Sequence, residues 1–155
     1  MVPQTLLGIV AIIATGIVTQ LALQGLGIDP LPEGQDAASD RFAGIAGNLP
    51  VYLMWLVSGG LAEEMFFRGY LITRLQTAFR GLHLAPVLAV VIAGLVFGFG
   101  HYYYQGLSGW ITTGMIGVVI GGLFLLYKRN LWPLIIAHAF VDSLGMTAMY
   151  MGWDI

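Results

Sequence analysis

The chain has 155 residues, of which 58% are hydrophobic and only 9% are charged, with a formal net charge of -2 at pH 7. Soluble domains carry about 25% charged residues, so this composition indicates a membrane protein, which we predict to form a single domain over residues 1–155. There is no cysteine, which excludes disulfides and thiolate metal sites. The absence of any run of basic residues argues against nucleic acid as a partner.

Five apolar stretches are long enough to be predicted as transmembrane helices. The polar stretch 27–48, which is rich in proline and acidic residues, predicts a loop after the first of them. We therefore expect an all-α fold, a polytopic membrane helix bundle with about five transmembrane helices around a polar cavity. The predicted spans are residues 6–26, 49–75, 85–103, 107–127 and 131–152.

The distribution of basic residues predicts the orientation of the chain. Arg74 and Arg80 lie at or just after the end of the second span, and Lys128 and Arg129 follow the fourth, whereas the loop 27–48 is mainly acidic. Lys and Arg are enriched in cytoplasmic loops of membrane proteins. This pattern predicts a multi-pass protein of the cell membrane with its N-terminus in the cytoplasm.

Apart from a few tyrosines and Arg74 at the end of the second span, six ionisable side chains fall inside the predicted spans. Glu64 and Arg68 are four residues apart and can pair on one helix face, while Glu63 points about 100° away in a helix of 3.6 residues per turn. A charge left unpaired in lipid costs several kcal/mol, so we expect these groups to line one hydrated cavity. The six are Glu63, Glu64, Arg68, His101, His138 and Asp142.

Each of these residues also has a simple structural interpretation. Glu64 and Arg68 could form only a buried ion pair, each histidine could bond a backbone carbonyl, and His138 could bond Asp142 one helical turn away. Two carboxylates and two imidazoles on three spans nevertheless fit the hydrolysis of an amide. A Glu–His pair can deprotonate water, and a second His can stabilise an oxyanion.

A divalent metal such as zinc is the alternative route to the same activated water. The residue types fit either route, and the ligands of a metal would come from a set of four side chains. That set is Glu63, His101, His138 and Asp142.

Three short motifs follow one another in this order on separate spans: E-E-x-x-x-R from Glu63, F-x-x-x-H from Phe97 to His101, and H-x-x-x-D from His138 to Asp142. In this order they resemble the CPBP family of intramembrane endopeptidases. That family includes the CAAX prenyl endopeptidases and the bacterial abortive-infection and bacteriocin-immunity proteins.

The resemblance implies a role for each residue of the motifs. Glu63 would be the water-activating base and His101 its partner, with Glu64 and Arg68 supporting the site. His138 and the residue at position 142 would stabilise the oxyanion. Prenyl endopeptidases carry Asn where this chain has Asp142, and family members usually have more than five spans.

The resulting functional prediction is an intramembrane endopeptidase that cleaves a peptide or protein substrate while embedded in the lipid bilayer. A non-catalytic membrane protein that binds a peptide, as an immunity protein does, is one alternative. A small proton or ion transporter is another, because intramembrane Glu, His and Asp also form proton and ion pathways.

Overall fold

The computed structural model of the protein describes residues 1–28, 54 and 56–151. This part of the chain is helical and contains no strand, which confirms the predicted all-α bundle. Most of the predicted loop 27–48 and the beginning of the second predicted span lie outside the described residues. The helices are α1 (Val2–Gly25), α2 (Val57–Ile72), α3 (Thr73–Ala78), α4 (Ala85–Tyr103), α5 (Gln105–Leu126) and α6 (Trp132–Met151).

Three of these helices are long and apolar enough to cross a membrane, judged by length and composition. They are α1, α4 and α5, and each corresponds to a predicted span. The helix α6 also coincides with a predicted span and carries two of the six ionisable side chains inside its apolar sequence.

The helix α2 is a π-helix from Val57 to Ile72 and continues directly into the short α-helix α3. In a π-helix the backbone bonds join residues five positions apart rather than four. Our prediction of α-helical geometry was therefore wrong for this stretch. With more residues in each turn, neighbouring side chains such as Glu63 and Glu64 are separated by less than the 100° expected for an α-helix.

The helices α4 and α5 form an antiparallel hairpin that reverses at Gly106. The backbone there has φ 65° and ψ -162°, in the left-handed region that favours glycine. The two helices pack closely at other glycines: a Cβ on Gly98 would lie 2.6 Å from the nitrogen of Gly114, and a Cβ on Gly117 would lie 3.0 Å from the Cα of Gly94. The glycine faces of α4 and α5 thus form the helix–helix contact.

The bundle is closed by α1, which packs on the hairpin and on α6, and by α2, which packs on α6 and on the hairpin. The contact between α2 and α6 is close, because a Cβ on Gly60 would lie 2.6 Å from the Cβ of Ala139. The tightly packed core includes Ile72, Ala93, Ile120, Phe124, Leu134 and Ala137. This arrangement places the polar residues of α2 between α4 and α6.

Candidate active site

A fully buried ion pair lies at the centre of the site. Nη1 of Arg68 donates to Oε1 of Glu64 at 2.9 Å, and the two side chains are 1% and 0% exposed. The spacing of the two residues predicted this pair, and the structure confirms it. Removing either partner would leave a buried charge uncompensated. The fold therefore depends on both residues of the pair.

The same Glu64 oxygen binds a second partner, His138 on α6. Nδ1 of His138 lies 2.7 Å from Oε1 of Glu64. An ionised carboxylate can only accept, so Nδ1 carries the proton. Glu64 thereby joins α2 to α6 across 74 sequence positions, a contact that was not predicted from the sequence.

The other ring nitrogen of His138 faces two carboxylates. Nε2 lies 3.6 Å from Oδ1 of Asp142 and 3.9 Å from Oε2 of Glu63. The Glu63 and Asp142 side chains are 32% and 34% exposed, in contrast to the enclosed Glu64. The three acidic residues therefore divide into one structural carboxylate and two accessible ones.

Asp142 is held against α2 at a glycine. A Cβ added to Gly59 would overlap Oδ2 of Asp142, and Gly60 next to it meets Ala139. The paired glycines that precede Glu63 therefore let α6 approach closely enough for its two polar side chains to reach the acidic pair.

His101 enters the site from α4. Its Nδ1 lies 2.9 Å from the carbonyl oxygen of Phe97, one helical turn earlier. A carbonyl only accepts, so the proton is on Nδ1. In the neutral ring Nε2 is then the acceptor nitrogen. A backbone bond of this kind is the simple structural interpretation that was predicted for an intramembrane histidine.

Phe97 connects His101 to the rest of the site. Its ring is 2% exposed and lies 4.9 Å from the His101 ring and 6.1 Å from the His138 ring, measured between centroids. The guanidinium carbon of Arg68 lies 4.5 Å from the centroid of the same ring, a cation–π distance. This role of Phe97 was not predicted, although its place in the F-x-x-x-H motif was the available signal.

A metal ion was the alternative prediction for this site. Within residues 1–28, 54 and 56–151, no group of three or more His, Cys, Asp or Glu side chains is arranged to hold one. Glu63, His138 and Asp142 lie close to one another, but they do not form a metal-binding arrangement with His101, and the metal route stays a prediction.

Comparison with known proteins identifies the class of molecule. A family profile described as Type II CAAX prenyl endopeptidase Rce1-like matches residues 45–144, more than half of the chain, and this range includes all six ionisable residues. The fold and the match together define a CAAX-type intramembrane protease at the level of the family. The chain belongs to the Type II CAAX prenyl endopeptidase Rce1-like family, which confirms the predicted resemblance. No curated protein and no solved structure matches it significantly.

Proposed function

We propose that the protein hydrolyses a peptide bond of a membrane-associated peptide or protein with a water molecule activated by Glu63. The observation that carries this proposal is the contrast within the acidic pair. Glu64 is enclosed by Arg68 and His138, whereas the carboxylate of Glu63 is partly exposed beside Nε2 of His138. This difference in exposure supports Glu63, rather than Glu64, as the carboxylate that meets a water and a substrate.

The first chemical step is the attack of water on the scissile carbonyl carbon. Glu63 accepts a proton from the water as the new carbon–oxygen bond forms, which is general base catalysis. Nε2 of His101, the acceptor nitrogen of its ring, accepts a hydrogen bond from the other O–H of the water and orients it. Phe97 supports this geometry because its ring contacts both imidazoles.

The negative charge then develops on the former carbonyl oxygen. The Nδ1–H of His138 is bound by Glu64, so the ring also carries a proton on Nε2 when it is an imidazolium. This Nε2–H donates to the negatively charged oxygen and stabilises it. Asp142 donates a hydrogen bond there only in its protonated form. Arg68 acts through Glu64 as a positioning residue.

The intermediate collapses by breaking the carbon–nitrogen bond. Glu63 returns its proton to the leaving nitrogen, which departs as an amine, and the other product is a carboxylic acid that ionises in water. Neither an oxidant nor a second reactant is needed.

The test is cleavage of a peptide library by the purified full chain and by Glu63→Gln, with and without chelator. Glutamine keeps the shape of the side chain and removes the base, so we expect cleavage to fall about 10²–10⁴-fold while the thermal unfolding temperature is unchanged. Full activity in Glu63→Gln would refute the proposed role of Glu63.

Two further measurements address the other functional classes. A wild type that binds peptides without cleaving any would be a peptide-binding protein of the immunity type. Ion flux in reconstituted vesicles would instead indicate a transporter, whose current Glu63→Gln should alter.

A further inference from the structure

Four exposed cations gather at one end of the bundle. Arg74 lies on α3, Arg80 follows it, and Lys128 and Arg129 form the turn between α5 and α6. Nη2 of Arg129 donates to Oε1 of Gln76 on α3 at 2.6 Å, which joins the two connectors. We call these four cations the basic end.

The basic end has no acidic counterpart among residues 1–28, 54 and 56–151. The acidic side chains of this part of the chain are Glu63, Glu64 and Asp142, and all three belong to the candidate active site. Its four charges are therefore not neutralised by a described carboxylate, and they face the surroundings of the bundle.

Two of the cations, Lys128 and Arg129, have a backbone conformation that is unfavourable for residues with a side chain. Lys128 and Arg129 have φ values of 54° and 65°, in the left-handed region where a side chain is disfavoured. Their amides bond the carbonyls of Leu125 and Phe124 at 3.1 and 2.9 Å, which is the Schellman pattern that usually places glycine at the position of Lys128. The backbone conformation therefore favours glycine at position 128, where this chain has a lysine.

Exposed aromatic side chains flank these cations. Trp132, the first residue of α6, is 62% exposed, and the ring of Tyr70 lies 5.4 Å from the guanidinium carbon of Arg74. Trp and Tyr are enriched where a membrane protein crosses from hydrocarbon to headgroups. The end of the bundle thus combines the two side-chain types of a headgroup-level surface.

We propose that the basic end binds the anionic phospholipid headgroups of the adjacent membrane leaflet. Charge complementarity supports this partner, since anionic lipids attract juxtamembrane Lys and Arg. None of the four cations lies at the candidate active site, so the binding is independent of the proposed hydrolysis.

The experiment compares the lipids retained by the full chain after reconstitution with phosphatidylcholine and phosphatidylglycerol and transfer into the gas phase for native mass spectrometry. The test variant carries Lys128→Asn and Arg80→Gln, because Asn tolerates the left-handed conformation and Arg80 is exposed. The control is Thr77→Gln, an exposed neutral position on α3.

We expect the wild type and the control to retain phosphatidylglycerol in preference to phosphatidylcholine. Each cation removed should lower this preference by up to about fivefold. Equal retention of the two lipids by the wild type, or an unchanged preference in the double variant, would overturn the proposal. Inorganic phosphate that displaces the retained phosphatidylglycerol as effectively as added phosphatidylglycerol does would overturn the proposal as well. That result would indicate a site for free anions.

A second variant keeps the test decisive if the first is poorly folded. Lys128→Gly relieves the backbone conformation of the turn and removes one charge. It should unfold at a higher temperature in zwitterionic detergent than the wild type and still show a weaker preference for phosphatidylglycerol. A stabilised Lys128→Gly with undiminished preference would contradict a role for this cation.

Discussion

The three carboxylates of the site differ in burial and in hydrogen-bond partners, and this difference suits them to different roles. Glu64 binds Arg68 and His138 through a single oxygen and has no exposure, whereas Glu63 and Asp142 are each about one third exposed. A carboxylate that is already committed to two donors supports geometry. A carboxylate that water can reach is available for proton transfer.

Arg68→Ala should destabilise the protein by about 3–5 kcal/mol, because it leaves Glu64 as a buried charge that has lost its cation. Thermal unfolding in detergent measures the effect. Arg74→Ala is the matched control, since Arg74 is an exposed arginine six positions further along and surface charges contribute little. Equal unfolding temperatures for Arg68→Ala and the wild type would show that the pair does not hold the bundle together.

Asp142→Asn distinguishes two uses of the residue at this position. As an oxyanion donor, Asn supplies N–H at any pH and activity should persist, whereas Asp142→Leu should lose about 10²–10³-fold in cleavage rate. If Asp142 instead binds a metal, Asn is a weaker, uncharged ligand, so metal affinity and activity should fall together. Cleavage rates against pH, with and without chelator, separate the two.

At the level of helices, the contact of α2 with α6 determines whether the site is assembled. Glu63 and Glu64 come from a π-helix, and His138 and Asp142 come from an α-helix packed against it through Gly59 and Gly60. π-Helical segments occur frequently at functional sites. Here the wide helix brings two adjacent acidic residues towards the same histidine.

Gly60→Ala should separate these two helices. The new Cβ would lie 2.6 Å from the Cβ and 3.0 Å from the Cα of Ala139, and backbone cannot rotate away. We expect a loss of about 1–3 kcal/mol in stability together with reduced cleavage. Gly122→Ala is the control, because nothing lies within 4 Å of its added Cβ. A Gly60→Ala protein as stable and active as the wild type would contradict this tight contact.

At the scale of the whole molecule, the start of α1 and the turn after α5 lie at the same end of the described bundle. The hydroxyl of Tyr127 donates to the carbonyl of Gln4 at 2.9 Å, and the hairpin reversal at Gly106 lies at the opposite end of α4 and α5. The start of the chain therefore lies at the same end as the basic connectors, and the cytoplasmic location of this end stays a prediction.

Single-cysteine labelling tests that orientation cleanly, because the chain has no cysteine of its own. We expect His83→Cys, in the connector before α4, to react with a membrane-impermeant thiol reagent only from the cytoplasmic side. Gln105→Cys, beside the reversal, should react only from the other side. Labelling of both positions from one side would contradict the predicted orientation.

Pairs within one helix were predictable from the sequence, whereas the partners in hydrogen bonds between helices were not. The pair of Glu64 with Arg68 follows from their spacing of four residues, and the glycine spacing of α4 indicates its packing face. The bond of His138 to Glu64 depends on how α6 docks, which no spacing within one helix reveals. The π-helical geometry of α2 also went unpredicted, because the periodicity of a short apolar stretch does not separate four-residue from five-residue bonding.

Under the proposed mechanism, the shared oxygen of Glu64 links the stability of the fold to the rate of cleavage. A trade-off between robustness and speed is common in enzymes, because a change at a reactive group often stabilises the fold. Here one atom holds both the Arg68 charge and the His138 ring. If Glu63 and His138 act as proposed, a substitution of Glu64 will therefore lower stability and cleavage together, and neither property can be changed alone at this position.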